Sequence, residues 1–372
     1  MQPSRAGSSP AREGCPGPRV EWKGSAWSTI ELGLCRLGAV CAPGGYLGQC
    51  MASNCVTKNT AKTLTMSGTQ HEIAYGDQRA VVASVGATLR TYTAGDIPVV
   101  AGFDEDEVCR SARGQILAPW PNRIRDGNYS FNAEHATVPI NEPERHNAIH
   151  GLVRHIDWQL SSITQNYCCL SCTLAPQPAY PWWLHMEVEY RLGRDGLVVK
   201  TVVSTPGNKA VPFGLGFHPY LAMDGHSVAE CVVQVPATDI LLVDARMIPS
   251  QTHKVAGSQF DLNQPTALGG LSLDTSYTGL LRDAEGIASV CVSRPFLHRD
   301  VTVWMDGSFK YVQLYTADDV SLGNDRRKAL AVEPMTCAPN AFQSHEDIVE
   351  ITPGTSWLAR WGISPQGTTP ET

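Results

Sequence analysis

Short runs of β-forming residues, cut by glycine, proline, asparagine and aspartate, fill this chain from about residue 70 to residue 363. No long amphipathic helical pattern interrupts them. His71–Tyr75, Arg79–Val85, Leu184–Leu192, Gly196–Ser204, Ala288–Val292, Val301–Trp304 and Tyr311–Tyr315 alternate apolar with polar residues or are rich in β-branched ones. Such runs turn one face to a core and the other outward. Turn signals such as Asp126-Gly127, expected to close a hairpin, and Gly193-Arg-Asp-Gly196 join successive runs antiparallel. More than a dozen runs without a fixed repeat predict an all-β chain folded as a large antiparallel β-sandwich.

The composition narrows the function. The 372 residues are 42% hydrophobic, enough for a sizeable core, and the net charge of −7 comes without a basic block. Nucleic acid and anionic membranes are therefore poor partners, and no apolar run is long enough to cross a bilayer. No segment specifies an oligomeric state. Residues 1–65 are rich in Ser, Pro, Gly, Arg and Cys without periodicity, and are expected to form a disordered N-terminal extension. A single sandwich domain is expected over 66–364, followed by a polar tail at 365–372. Five of the twelve cysteines fall in the first 55 residues, and the rest are scattered. Cys168-Cys169-x-x-Cys172 lies in a strand-like run that puts Cys169 on the opposite face from the other two, and no second ligand pair follows at zinc spacing. His146, His150 and His155 lie close in sequence, yet no helix sets a metal-ligand spacing. The expectation is therefore no metal, with reduced thiols in a cytoplasmic protein.

Two acid–base residues stand out. His218 sits in Gly214-Leu-Gly-Phe-His-Pro-Tyr220, where Pro219 pushes it toward an extended conformation and glycines let the backbone pass close to a neighbour. A held imidazole is the commonest proton donor or acceptor in enzymes, though a hydrogen-bonded core histidine has the same local sequence. Glu333 is expected at the end of the apolar run Ala329-Leu-Ala-Val-Glu333, where an ionised carboxylate is costly unless paired or at work. In Ala118-Pro-Trp-Pro-Asn-Arg123, two prolines flank Trp120 and exclude helix and central strand, and Asn122 and Arg123 follow directly. His150 precedes Gly151 in a loop, and Asp274 interrupts the mildly apolar Leu271–Gly279.

Pro121-Asn-Arg-Ile124, Asn147-Ala-Ile-His-Gly151, Gly216-Phe-His-Pro-Tyr220 and Val332-Glu-Pro-Met-Thr336, followed by Pro339-Asn-Ala-Phe342, together resemble the aldose 1-epimerase (galactose mutarotase) family in order and spacing. The resemblance implies a supersandwich with a sugar cleft and no cofactor. It implies His218 as general acid at the ring oxygen and Glu333 as general base at the anomeric hydroxyl. Arg123, His150 and Asp274 match sugar-holding residues, with Asn122 beside them, and Asn340 stands where many members carry Asp. The implied activity interconverts α and β anomers of free glucose or galactose.

The chemistry agrees with those residue types. Opening a cyclic hemiacetal requires one group to take the C1 hydroxyl proton while another protonates the ring oxygen, with His218 protonated and Glu333 ionised at one pH. Trp120 and Tyr220 are candidate apolar faces for the sugar, or core aromatics. A glycosidase using Asp274 and Glu333 leaves His218 and His150 without work. A sugar-binding or sensor protein of the same fold needs neither acid nor base there. A hexose-6-phosphate 1-epimerase requires an additional cation in the cleft, for which Arg125, Arg154 and Lys200 are the candidates.

Overall fold

The structure, a computed structural model, describes residues 65–367. Except for Thr65, the expected N-terminal extension lies outside the described residues. Two large sheets, antiparallel at every pairing, carry the fold. The first runs in the order Gln70–Tyr75, Gln78–Ala83, Thr88–Ala94, Ile97–Val100, Tyr220–Ala222, Ala329–Met335, Tyr311–Tyr315, Asp274–Leu280, Ala237–Val243, Pro249–Lys254. Gly216–Phe217 pairs with its Ala329–Met335 strand and with Ile116–Leu117. The second sheet is nine-stranded, with Gly196–Ser204, Ser356–Gly367 and Arg299–Met305 at its centre.

The two-residue period explains the core. In Leu184–Gly193, Leu184, Met186, Val188, Tyr190 and Leu192 are buried while the residues between them are not. Gly196–Ser204 and Ala288–Arg294 repeat the pattern. Their inward faces meet the aromatics Trp158, Trp361, Tyr92, Phe217 and Phe309 in one buried cluster. Removing this much apolar surface at roughly 25 cal/mol per Å² is the main force holding the sheets together.

Several expectations need correction. Asp126-Gly127 turns, with φ of 56° and 63°, but it does not close a hairpin. Arg123–Arg125 pairs with Asn147–Ile149, and Asn128–Phe131 pairs with Glu134–Thr137 around a turn at Asn132-Ala133. Long-range pairing overrides the local signal. Pro249–Lys254 is a paired edge strand that is almost wholly exposed, so apolar alternation in the sequence does not mark it. Cys169 is buried along with Cys168 and Cys172, and all three are free. Among the described residues no group of three His, Cys, Asp or Glu is placed to hold a metal ion, and no helix is long and apolar enough to cross a membrane.

Candidate active site

Register across three neighbouring strands builds the floor of the site. Glu333 faces Gln313 across one strand pair, and Gln313 faces Ser276 across the next, with Asp274 opposite Tyr315. Residues two apart on a strand share a face. Asp274, Ser276, Gln313, Tyr315 and Glu333 therefore project from one side of the sheet. Gln313 Nε2 donates to Asp274 Oδ1 at 2.5 Å, while Ser276 Oγ donates to Gln313 Oε1. Glu333 is inside its strand, not at the end, because Pro334 and Met335 continue the pairing.

His218 comes from the neighbouring chain crossing, between Gly216–Phe217 and Tyr220–Ala222. Its backbone N–H donates to Gln115 O at 3.1 Å and its carbonyl accepts from Gly114 N at 2.9 Å. A Cβ on Gly216 would lie 2.8 Å from Pro121 Cβ, so glycine is required there for the strand to pack against the Pro119–Pro121 turn. His218 stacks on Tyr220 with ring centroids 4.8 Å apart and meets His150 edge-on at 5.4 Å.

The third wall is knitted from loops. Asn122, His150 and Asn340 all take left-handed backbone angles, with φ of 54°, 66° and 64°, an uncommon choice for residues other than glycine. Asn122 N–H donates to His150 Nδ1 at 3.2 Å, and His150 N–H donates to Asn122 O at 2.9 Å. Asn340 receives Arg125 N–H on Oδ1 at 2.9 Å and donates its own N–H to Arg123 O at 2.7 Å, so the loop carrying it is held from both ends. Arg123 is buried, its Nε and Nη2 forked onto Glu142 at 2.9–3.2 Å.

These walls enclose a cleft of about 750 Å³. All six residues expected at a site line it: His218, Glu333, Arg123, His150, Asp274 and Asn122. His218 Nε2 lies 3.3 Å from Glu333 Oε1. His218 and Glu333 are only 5% and 2% exposed, and Glu333 Oε2 and His218 Nδ1 have no hydrogen-bond partner. Buried polar atoms left unpaired are rare and are expected where a ligand will pair them. Tyr220 also lines the cleft, but Trp120 does not; it is a core residue packed on Phe342 at 5.5 Å. His146 does not join His150. It bonds Asp126 at 2.7 Å on an exposed loop.

Burial sets the charges against the simplest expectation. It pushes His218 down to about 3, with Arg154 and Arg113 adding to the effect. It pushes Glu333 well above the ordinary carboxyl value, Asp274 reinforcing it and Arg123 opposing it. His150 is likewise held well below its ordinary value by burial. Burial in the cleft thus favours a neutral imidazole and a protonated carboxyl, not the ion pair expected from the sequence. Both arrangements contain one proton and the same net charge.

Of the cations considered from sequence, Arg125 pairs with Asp244, and Lys200 pairs with Glu189 at 3.1 Å on the other sheet. Arg154 lines the cleft. Its Nε donates to His150 O at 3.2 Å and its Nη1 to Gln115 Oε1 at 3.4 Å, and among the described residues no carboxylate pairs with it. Sequence reading missed Gln313, Tyr315 and Glu142 as cleft residues. Gln313 carried the signal that singled out Glu333, a polar residue inside an apolar strand.

The sequence model of the aldose 1-epimerase family matches residues 70–364. The chain belongs to the aldose 1-epimerase family. A relative in Escherichia coli K12, named "Uncharacterized protein YihR", is 32% identical over 289 residues, which is 77% of this chain and 90% of the relative. Among solved structures, the GalM/aldose epimerase homologue from C. elegans superposes with a TM-score of 0.73 at 20% identity, over 81% of this chain and 99% of that one. Galactose 1-epimerase from Lactobacillus acidophilus gives 0.66 at 16% identity, over 80% and 98%. The all-β galactose mutarotase-like sandwich expected from sequence is thus the fold of this family member, and a carbohydrate epimerase or mutarotase is its functional class.

Proposed function

We propose that this family member interconverts the α and β anomers of a free aldohexose, glucose or galactose, with His218 and Glu333 as its acid–base pair. The observation that carries the reading is their contact at 3.3 Å deep in the cleft, each with an unpaired buried atom. The ring oxygen and the anomeric oxygen of a hemiacetal are bonded to the same carbon. An acid and a base close to one another can therefore serve both.

In the opening step Glu333 carboxylate takes the O1 proton as the C1–O5 bond breaks, and imidazolium His218 gives its proton to O5. The products are an open aldehyde, a neutral imidazole and a protonated carboxyl. Rotation about C1–C2 presents the other carbonyl face, and the two proton transfers reverse as the ring recloses. Each transfer contributes on the order of 10² to 10⁴ in rate. The neutral pair favoured by burial is the proton inventory of the open-chain complex, and the ion pair is that of the cyclic one. The cleft passes from one to the other without a change in net charge. Arg123, His150, Asp274 and Asn122, together with Gln313, are assigned to holding hydroxyls. No cofactor is required by this chemistry.

A second reading, a hexose-6-phosphate 1-epimerase, is favoured by Arg154, a cleft-lining guanidinium without a carboxylate partner among the described residues. Polarimetry on fresh α-D-glucose, α-D-galactose and α-D-glucose 6-phosphate tests both. Acceleration of the free hexoses supports the first reading, and acceleration confined to the phosphate supports the second. Tight sugar binding without acceleration would instead indicate a binding or sensor protein.

A further inference from the structure

Glu142 has no role in the chemistry above, yet with Glu333 it is one of the two buried acids among the described residues and lies in the wall of the cleft. It accepts Arg123 Nε and Nη2, Arg145 Nη1 at 3.0 Å, and Asn147 Nδ2 at 2.8 Å. Burial alone would raise its carboxyl, but the Arg123 hydrogen bonds and charge, with Asn147 and Arg145, outweigh burial and lower it. It is therefore ionised. The 142–147 loop that holds it is closed by Glu142 N–H to Asn147 O at 3.0 Å and Asn147 N–H to Glu142 O at 3.1 Å. Arg246 clamps that loop from outside, donating to Arg145 O at 2.9 Å, His146 O at 2.6 Å and Asp126 Oδ1 at 2.8 Å.

The guanidinium of Arg123 offers five N–H groups in a fixed fork. Nε–H and one Nη2–H go to Glu142, and one Nη1–H goes to Asn122 Oδ1 at 3.2 Å. One N–H on each terminal nitrogen remains for the cleft. We propose that Glu142 is a positioning residue that fixes which edge of Arg123 meets the sugar and offsets the Arg123 charge beside Glu333. The proposal rests on the reading of Arg123 and Glu333 as sugar-holding residue and base. The charged and titratable groups facing Glu333 are His218, Tyr220, Asp274 and Arg123. Of these Arg123 alone favours the carboxylate by a permanent positive charge, so its neutralisation by Glu142 helps to keep the Glu333 proton affinity high.

The test compares Glu142→Gln, which removes the charge, with Glu142→Asp, which keeps it, and with Arg246→Ala, which loosens the loop and leaves Glu142 in place. The alkaline limb of the rate profile reports deprotonation of Glu333. In Glu142→Gln that limb is expected to move about one pH unit lower, with KM raised about tenfold by the freed guanidinium. Glu142→Asp is expected to restore the limb, and Arg246→Ala to raise KM severalfold with the limb unmoved. A folded Glu142→Gln with wild-type limb and KM overturns the proposal. If that variant does not fold, an unchanged KM in Arg246→Ala overturns it. Wild type that accelerates no sugar would strike the proposed function instead. Positioning is then decided by carbon-13 NMR titration of Glu333, where the same downward shift in Glu142→Gln supports it and an unmoved titration overturns it.

Discussion

Replacing His218 by Asn should remove a pH dependence of stability that wild type carries. In the unfolded chain the imidazole takes up a proton near 6.5, whereas burial in the cleft holds it down to about 3. Between those values the unfolded state binds the extra proton, so His218 costs the folded state more as pH falls. At pH 8 the cost is absent. At pH 5 it is 1.5 pH units at about 1.4 kcal/mol each, roughly 2 kcal/mol. The stability of His218→Asn relative to wild type should therefore be about 2 kcal/mol more favourable at pH 5 than at pH 8. Comparing variant with wild type cancels the titrating groups that are not coupled to His218. Urea unfolding followed by tryptophan fluorescence, at matched pH values, measures it. A difference that stays flat would show that His218 titrates as if exposed. A difference of opposite sign would show an imidazolium held by Glu333. Either result refutes the burial argument.

The partner variant, Glu333→Gln, should show the mirror behaviour. The carboxyl is raised in the fold by burial, so its cost grows as pH rises above the ordinary value near 4.5, and the variant gains on wild type at about 1.4 kcal/mol per pH unit through that range in urea unfolding. Because the two one-proton arrangements have equal charge, the rate of wild type is expected to stay flat across neutral pH. Its acid limb should lie near 3, not at the 6.5 of an ordinary imidazole, and a pH–rate profile checks this. Gly151→Ala places a Cβ 2.0 Å from Ala118 O at a φ of +68°, and should cost about 2–4 kcal/mol of stability and displace His150, measurable as a lowered Tm and a raised KM.

The parts of the fold legible in the sequence were those with one buried face. Leu184–Gly193 and Gly196–Ser204 alternate cleanly because the second sheet buries one side of them. The edge strand Pro249–Lys254 buries almost nothing, and so leaves no pattern to read. Turn residues fixed where the chain bends at Asp126-Gly127 but not which strands pair, since partners twenty or more residues away compete. The six expected site residues, which converge on one cleft, were legible because most stood out locally: a polar group in an apolar run, or a polar residue at or near glycine or proline. Glu142 was missed because Asn141-Glu-Pro-Glu144 is ordinary loop sequence. Its burial comes from an ion pair with a residue nineteen positions earlier. The protonation order was misjudged for a similar reason: two opposite charges close together favour ionisation, but the depth of their burial is set by the whole fold.

The central claim is that His218 and Glu333 open and reclose a hemiacetal. Magnetisation exchange between the α and β anomeric protons of glucose and galactose at equilibrium, recorded by NMR with wild type, His218→Asn and Glu333→Gln, tests it most directly. The account predicts exchange well above the uncatalysed rate with wild type, reduced by roughly 10² to 10⁴ in each variant while the fold is retained. Undiminished exchange in either folded variant, or no acceleration by wild type on these hexoses, would contradict it.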